Sequence, residues 1–253
     1  MDDKLNPTFK EVLKTKNTVA IKKMFDDIAP KYDLLNHLLS FNIDKYWRKK
    51  AIAELKDLKN KESVIIDLAT GTGDLAKMII SNLAPRKLIA LDVSESMLKI
   101  AGNKLSLSNT NCQISLKVEA AETLAAPSDT IDAVTVAFGV RNFNNLDLAL
   151  QNIYSVLKPN AKVVIIEFSK PKNRIIGYIY RYYFSKLLPF VGRLISGHSF
   201  AYNYLIDSVQ EFPSGKKFLI KMHNAGFSDT YYKSLTFGIC SIYVGYKKPN
   251  TNI

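Results

Sequence analysis

The spacing of hydrophobic positions changes character near residue 60. Before it, Ile43, Trp47, Ile52, Leu55 and Leu58 fall at helical intervals and predict a helix over 44–58. After it, short apolar runs of strand length alternate with amphipathic stretches. Val64-Ile65-Ile66-Asp67-Leu68 reads as a buried strand, and 87–92, 114–118, 131–138 and 161–168 as four more. Between them, 75–83, 94–105 and 145–157 read as helices, with Ser94 as an N-cap and Lys158-Pro159-Asn160 as a turn. This alternation implies an α/β fold: a Rossmann-like, doubly wound, mostly parallel sheet with right-handed crossovers. A further helix is expected over 216–225. Two β-rich runs within 229–246, meeting at Phe237-Gly238, predict a C-terminal antiparallel hairpin.

The domain plan that follows is an N-terminal helical cap over 1–60, on the substrate side, and a main domain over 61–253. A helical lid insertion is expected at about 172–212. Within it, the stretch 174–204 interleaves Arg174, Arg181, Lys186 and Arg193 with Tyr178, Tyr182, Tyr183, Phe184 and Phe190. Lid helices with a charged outer face, a wall that touches anionic lipid and a homodimer interface all suit that pattern.

Composition narrows the classes. The chain has 253 residues, 47% of them hydrophobic, enough to bury a full core. The net charge of +12 suits a plain solvated surface, or else attraction to anionic lipid or to nucleic acid, and charge alone does not choose between them. Cys112 and Cys240 have no metal-type spacing, and His37, His198 and His223 are scattered, so no metal site is expected and a reduced, cytoplasmic setting is. No apolar run reaches spanning length, so any membrane contact is expected to be peripheral, at the inner face.

The sharpest local signal is Asp67-Leu68-Ala69-Thr70-Gly71-Thr72-Gly73-Asp74. Gly71 and Gly73 let backbone approach a ligand at the carboxyl edge of a strand, where open α/β sheets bind. Asp92, at the end of the next strand, is placed to take two hydrogen bonds from a ribose diol. The run from Gly71 to Ala76 followed by Asp92 also matches a loose dinucleotide fingerprint. Asp67 favours a cofactor with a cationic amino-acid end over a pyrophosphate. A hairpin has no place in a dinucleotide half.

Several separate motifs then resemble one family, over about residues 20–247. They are Phe25-Asp26-Asp27-Ile28-Ala29-Pro30-Lys31-Tyr32-Asp33 running on to Asn36, Ser40 and Trp47; the glycine turn; Ala137-Phe138-Gly139-Val140-Arg141-Asn142; Val156-Leu157-Lys158-Pro159 leading to Glu167-Phe168-Ser169-Lys170-Pro171; and Tyr202-Asn203-Tyr204-Leu205. They are similar to the menaquinone/ubiquinone biosynthesis C-methyltransferases, within the class I S-adenosylmethionine-dependent methyltransferases. Asp44 stands where that family has His, Ala137 where it has Ser, and Asn160-Ala161 where it has Gly-Gly.

The resemblance implies S-adenosylmethionine as cofactor, with contacts at Thr72, Asp92, Ala120, Ala121 and Ala137, beside the Asp67, Gly71 and Gly73 already read from the turn itself. It implies an isoprenoid quinol as substrate, demethylmenaquinol going to menaquinol; no nucleic acid partner is expected, since the sequence shows no appended binding module or aromatic-basic nucleotide motif. Ring-carbon methylation needs the phenolate of the quinol, so a cation beside its oxygen is wanted. Arg141 is the candidate for that role, with a structural salt bridge as its competing use, and Asn142 is expected to orient the same oxygen. His198 is the runner-up base. The rival readings are a methyltransferase for another small aromatic or lipid substrate or for RNA, and an inert scaffold. The intact Asp67, Gly71, Gly73 and Asp92 weigh against the scaffold.

Overall fold

The computed structural model describes residues 17–108, 110–171, 173, 177–178, 182 and 199–249. Arg174, Arg181, Lys186, Arg193 and His198, the groups that gave the lid stretch and the runner-up base their interest, lie outside the described residues.

Helix α1 (Thr18–Leu39) starts under Asn17, whose side-chain oxygen accepts the Val19 N–H at 2.9 Å. Phe41 and Asn42, both left-handed, turn the chain into α2 (Ile43–Ala53). The expected helix over 44–58 is therefore shorter, with a 3-10 turn at Lys56–Leu58 as a separate piece. The α/β alternation then follows: β1 (Val64–Leu68), α3 (Asp74–Leu83), β2 (Lys87–Asp92), α4 (Glu95–Ser106), β3 (Gln113–Val118), β4 (Ile131–Ala137), α5 (Leu146–Val156) and β5 (Leu157–Phe168). Beyond the lid stretch come α6 (Ser199–Glu211), α7 (Lys216–Asn224), β6 (Ser228–Leu235) and β7 (Cys240–Tyr246). Ser94 caps α4 as expected, accepting the Met97 N–H at 3.1 Å.

The seven strands of the described residues form one sheet in the order β3-β2-β1-β4-β5-β7-β6. β1 through β5 are parallel. β7 pairs antiparallel with both β5 and β6, so the hairpin is appended by its second strand. Lys158-Pro159-Asn160, expected as a turn, lies inside β5 as a bulge: Ile131 pairs with Leu157 but Ala133 with Lys162. Asn160 absorbs the irregularity at φ 64, a conformation that Asn tolerates better than most residues, which explains why it can stand in for Gly.

Strand side chains alternate between two cores. Ile66, Leu68, Val163 and Ile165 face α5 and α7, whereas Ile65, Val164 and Ile166 face α2 and α3. Trp47, Ala51, Ile52 and Leu55 belong to that second core, so the N-terminal region expected as a cap contributes α2 to the main body. The direction of strand order reverses between β1 and β4, the place where open α/β sheets bind ligands.

Candidate functional site

A hollow of about 660 Å³, counted out to its open mouth, lies at that reversal. Its floor comes from residues at and just past the strand ends: Leu68, Ala69 and Gly71 at β1, Asp92 and Val93 at β2, Glu119 to Glu122 after β3, and Ala137, Phe138 and Gly139 at β4. Helix α1 supplies a further wall with Thr18, Ile21, Phe25 and Tyr32. Asn142, Phe143 and Asn144 complete it.

Asp92 joins two of these loops. One of its oxygens accepts the Gly71 N–H at 2.8 Å and the other accepts the Ser94 N–H at 2.9 Å. Burial raises the carboxyl above its ordinary pKa, although the bonds from Ser94, Gly71 and Val93 pull the other way. A carboxylate has about four acceptor positions, so capacity remains for a pair of hydroxyls from the hollow. Gly71 is left-handed at φ +56, and a Cβ built on it meets no atom within 4 Å. Glycine serves here for backbone conformation and for ligand space, not for packing.

Gly71, Asp92, Ala120, Ala121, Ala137 and Asn142, expected from sequence as site residues, all line the hollow. Asp67, Thr72, Gly73 and Arg141 are not among its lining residues. Asp67 is braced from behind: Thr70 and Thr135 each donate a hydroxyl to it at 2.6 Å. Its complete burial lifts the carboxyl to about 6 against those two bonds. Gly73 packs on α4, where a Cβ would sit 3.0 Å from the Ala101 Cβ. Thr72 turns its hydroxyl to Asp33 of α1.

Arg141, expected at the mouth of the cleft, is 5% exposed. Its guanidinium pairs with Glu167 at 2.9 Å, donates to Ser208 at 3.3 Å and also donates to the Phe138 carbonyl. Burial pushes the Glu167 carboxyl up, while the guanidinium beside it pulls it down. The charge of Arg141 is thus spent on the salt bridge that competed with its catalytic reading. Asn142, the next residue, does reach the hollow, with its amide oxygen accepting the Tyr204 hydroxyl at 3.0 Å.

The residues that sequence reasoning left without a role are mainly on α1. Ile21, Phe25 and Tyr32 wall the hollow, and Asp26 and Asp33 reach the two ligand loops. A signal was present: Phe25-Asp26 and Tyr32-Asp33 repeat an aromatic–acid pair at a seven-residue interval, two helical turns.

His37, Asp44 and Asp74 also come together, with one potential ligand atom from each within 4.8 Å of the others. Their carboxylates are already taken: Arg48 reaches Asp44 and stands 3.7 Å from Asp74, and Lys104 bonds Asp74 at 2.5 Å. The group is an ion-pair network tying α1, α2, α3 and α4 together. Asp44, the residue in place of the family's His, is a member of it.

A cationic nucleoside fits this donor set. The lining of the hollow combines acid groups (Asp92, Glu119, Glu122) with apolar and aromatic ones (Ile21, Phe25, Phe138, Phe143). Strand order, hairpin and hollow together define a class I methyltransferase. A SAM-dependent methyltransferase of Thermotoga maritima shares the fold with a TM-score of 0.62, at 15% identity over 90% of this chain and 99% of that one.

The chain belongs to the ubiE/COQ5 methyltransferase family, whose model matches residues 11–247. It is 41% identical to the ubiquinone/menaquinone biosynthesis C-methyltransferase of Geobacter sulfurreducens over 90% of this chain and 88% of that protein. It is 43% identical to the demethylmenaquinone methyltransferase of Thermus thermophilus over 88% of this chain and 99% of that protein.

Proposed function

We propose that this enzyme methylates a ring carbon of a demethylated isoprenoid quinol, demethylmenaquinol to menaquinol, with S-adenosylmethionine as methyl donor. The observation that carries the reading is the hollow at the sheet reversal, lined by Asp92 together with apolar and aromatic residues of α1 and the β4 end, in a chain of this family. Bound S-adenosylmethionine supplies a methyl already activated by its sulfonium centre. The protein has to hold, align and keep dry.

Asp92 takes the ribose hydroxyls, and Gly71 opens the turn for the amino-acid end. Ala120 and Ala121 would border the adenine, and Ala137 lines the hollow without a hydroxyl to offer. Asp67, Thr72 and Gly73 act from behind, keeping the turn in shape. Ile21, Phe25, Tyr32 and Phe143 form the apolar face against which a flat ring packs and which excludes water. Asn142 orients a ring oxygen. Arg141 holds the Asn142 loop through Glu167 and Phe138, which makes it a positioning residue.

A quinol with an isoprenoid tail comes from a membrane surface, and the basic, aromatic stretch 174–204 has the composition to meet the inner face of one. No described helix is long and apolar enough to cross a membrane. A homodimer through that stretch, and the lack of a nucleic acid partner, belong to the same proposal. The deciding experiment supplies purified enzyme with labelled cofactor and both demethylated quinols. Label in the naphthoquinol is expected, and label in neither lipid would overturn the substrate.

A further inference from the structure

Helix α1 does more than wall the hollow. Its two aromatic–acid pairs divide the labour by face. Phe25 and Tyr32 line the hollow, while Asp26 and Asp33, each one residue further along, point to the flanking side, where both ligand loops pass. A step of one residue turns a helix by about 100°, and a step of seven brings the chain back to nearly the same face. Both acids therefore lie in one row beside the lining row.

Each acid grips one loop by a hydroxyl. Asp26 accepts the Ser94 hydroxyl at 2.6 Å, in the loop after β2, and the Ser96 N–H at 3.2 Å, in the first turn of α4. Asp33 accepts the Thr72 hydroxyl at 2.5 Å in the loop after β1, and its other oxygen accepts Lys104 Nζ at 2.8 Å. Lys22, one turn before Asp26, adds an ion pair to Glu95 at 2.7 Å. The two loops are the same ones that Asp92 bridges from inside, through the N–H groups of Gly71 and Ser94. The Ser94 side chain and main chain are thus held from opposite sides, by Asp26 and Asp92. Burial opposes ionisation of Asp26, but the bonds from Ser94 and Ser96 and the nearby Lys22 hold its carboxyl below the ordinary range, so the clasp is ionic at neutral pH.

We propose that Asp26 and Asp33 are positioning residues for the cofactor: they clamp the two loops that meet at Asp92 while their neighbours Phe25 and Tyr32 close the hollow. The inference rests on the cofactor reading of the hollow but not on the quinol. Clamping spares the bound state the ordering of two loops and one helix, so its loss weakens cofactor affinity more than turnover.

The test compares Asp26→Ala, Asp33→Ala, Asp26→Asn and Asp33→Asn with the unaltered chain, by calorimetric titration with S-adenosylhomocysteine and by steady-state kinetics. Each alanine variant is expected to raise the dissociation constant about tenfold, the share of its two lost hydrogen bonds that reaches the ligand through the loops. KM for S-adenosylmethionine should rise in step, with kcat at saturating cofactor nearly unchanged. The asparagine variants, whose amide oxygen still accepts a hydroxyl, should recover most of the affinity.

Unchanged affinity in folded alanine variants overturns the proposal, and so do asparagine variants as weak as alanine. Should an alanine variant fail to fold, hydrogen exchange on the unaltered chain asks the same question. Added S-adenosylhomocysteine should protect residues 22–33 together with 69–74 and 92–96, and protection confined to the loops overturns the clamp. If the unaltered chain does not bind S-adenosylhomocysteine, the cofactor reading itself has failed, a result distinct from equal binding by all variants.

Discussion

Gly139 leaves no room for a side chain facing Ala69: a Cβ built on it would stand 2.5 Å from the Ala69 Cβ. Its own backbone, at φ −111, would accept any residue, so the demand is for space alone. Both residues line the hollow, at the ends of neighbouring strands. Gly139→Ala should push these ends apart and cost about 1–3 kcal/mol, as overpacking does. Thermal unfolding measures it, and an unchanged midpoint would show that the strand ends yield freely.

Asp92→Asn keeps the shape but replaces one acceptor oxygen by a donor. Either Gly71 or Ser94 then loses its partner, and so does one hydroxyl of the ligand. Affinity for S-adenosylhomocysteine should fall by about 2 kcal/mol, roughly thirtyfold. Calorimetry reads this directly, and a loss under twofold would remove Asp92 from the cofactor's contacts.

Asp67 makes stability depend on pH in a defined direction. Its folded carboxyl sits at about 6, above the ordinary 3.8, so the folded chain holds the proton more tightly than the unfolded chain. Its contribution is most favourable below the unfolded value and is lost as pH rises through the folded one, on the order of 3 kcal/mol in all. Asp67→Asn cannot ionise. The difference in melting temperature, variant minus unaltered chain, should grow more positive from pH 4 to pH 7. A flat difference would place the proton elsewhere.

The Arg141–Glu167 pair separates fold from chemistry. Arg141→Met alone strands a buried carboxylate and should cost about 3–5 kcal/mol. Arg141→Met combined with Glu167→Leu should recover most of that stability, because neither charge remains buried. Turnover should stay low in both, since the Asn142 loop has lost its anchor. Full recovery of kcat in the double variant would end any role for Arg141 in the reaction.

What could be read in advance follows the range of the interaction. β1 and β2 were legible because a buried parallel strand is a local apolar run, and the turn between Asp67 and Asp74 because its glycines and acids are adjacent. The burial of Arg141 was not, because Glu167 lies on the next strand and Ser208 on a distant helix. The bracing of Asp67 was not legible either, because its partner Thr135 is set by β1–β4 register, which no local pattern reveals. The bulge at Asn160 was hidden for a similar reason: Lys-Pro-Asn has the composition of a turn, and only the ladders to β4 and β7 keep it in a strand. The α1 acids were written in plain view as a seven-residue repeat, but their targets Ser94 and Thr72 become neighbours only after the sheet has formed.

The place of β7 also sets an order of events during synthesis. β5 carries Val163-Val164-Ile165-Ile166 with one edge on β4, and its other edge stays bare until residues 169–239 have been made and β7 can settle beside it. For that interval a nascent chain displays a long, greasy ribbon with free amides, the kind of template on which stray polypeptides add themselves. Ribosomes stalling between Ser169 and Ile239 would therefore release sticky fragments, so this enzyme's yield in a cell should respond to translation speed across that window.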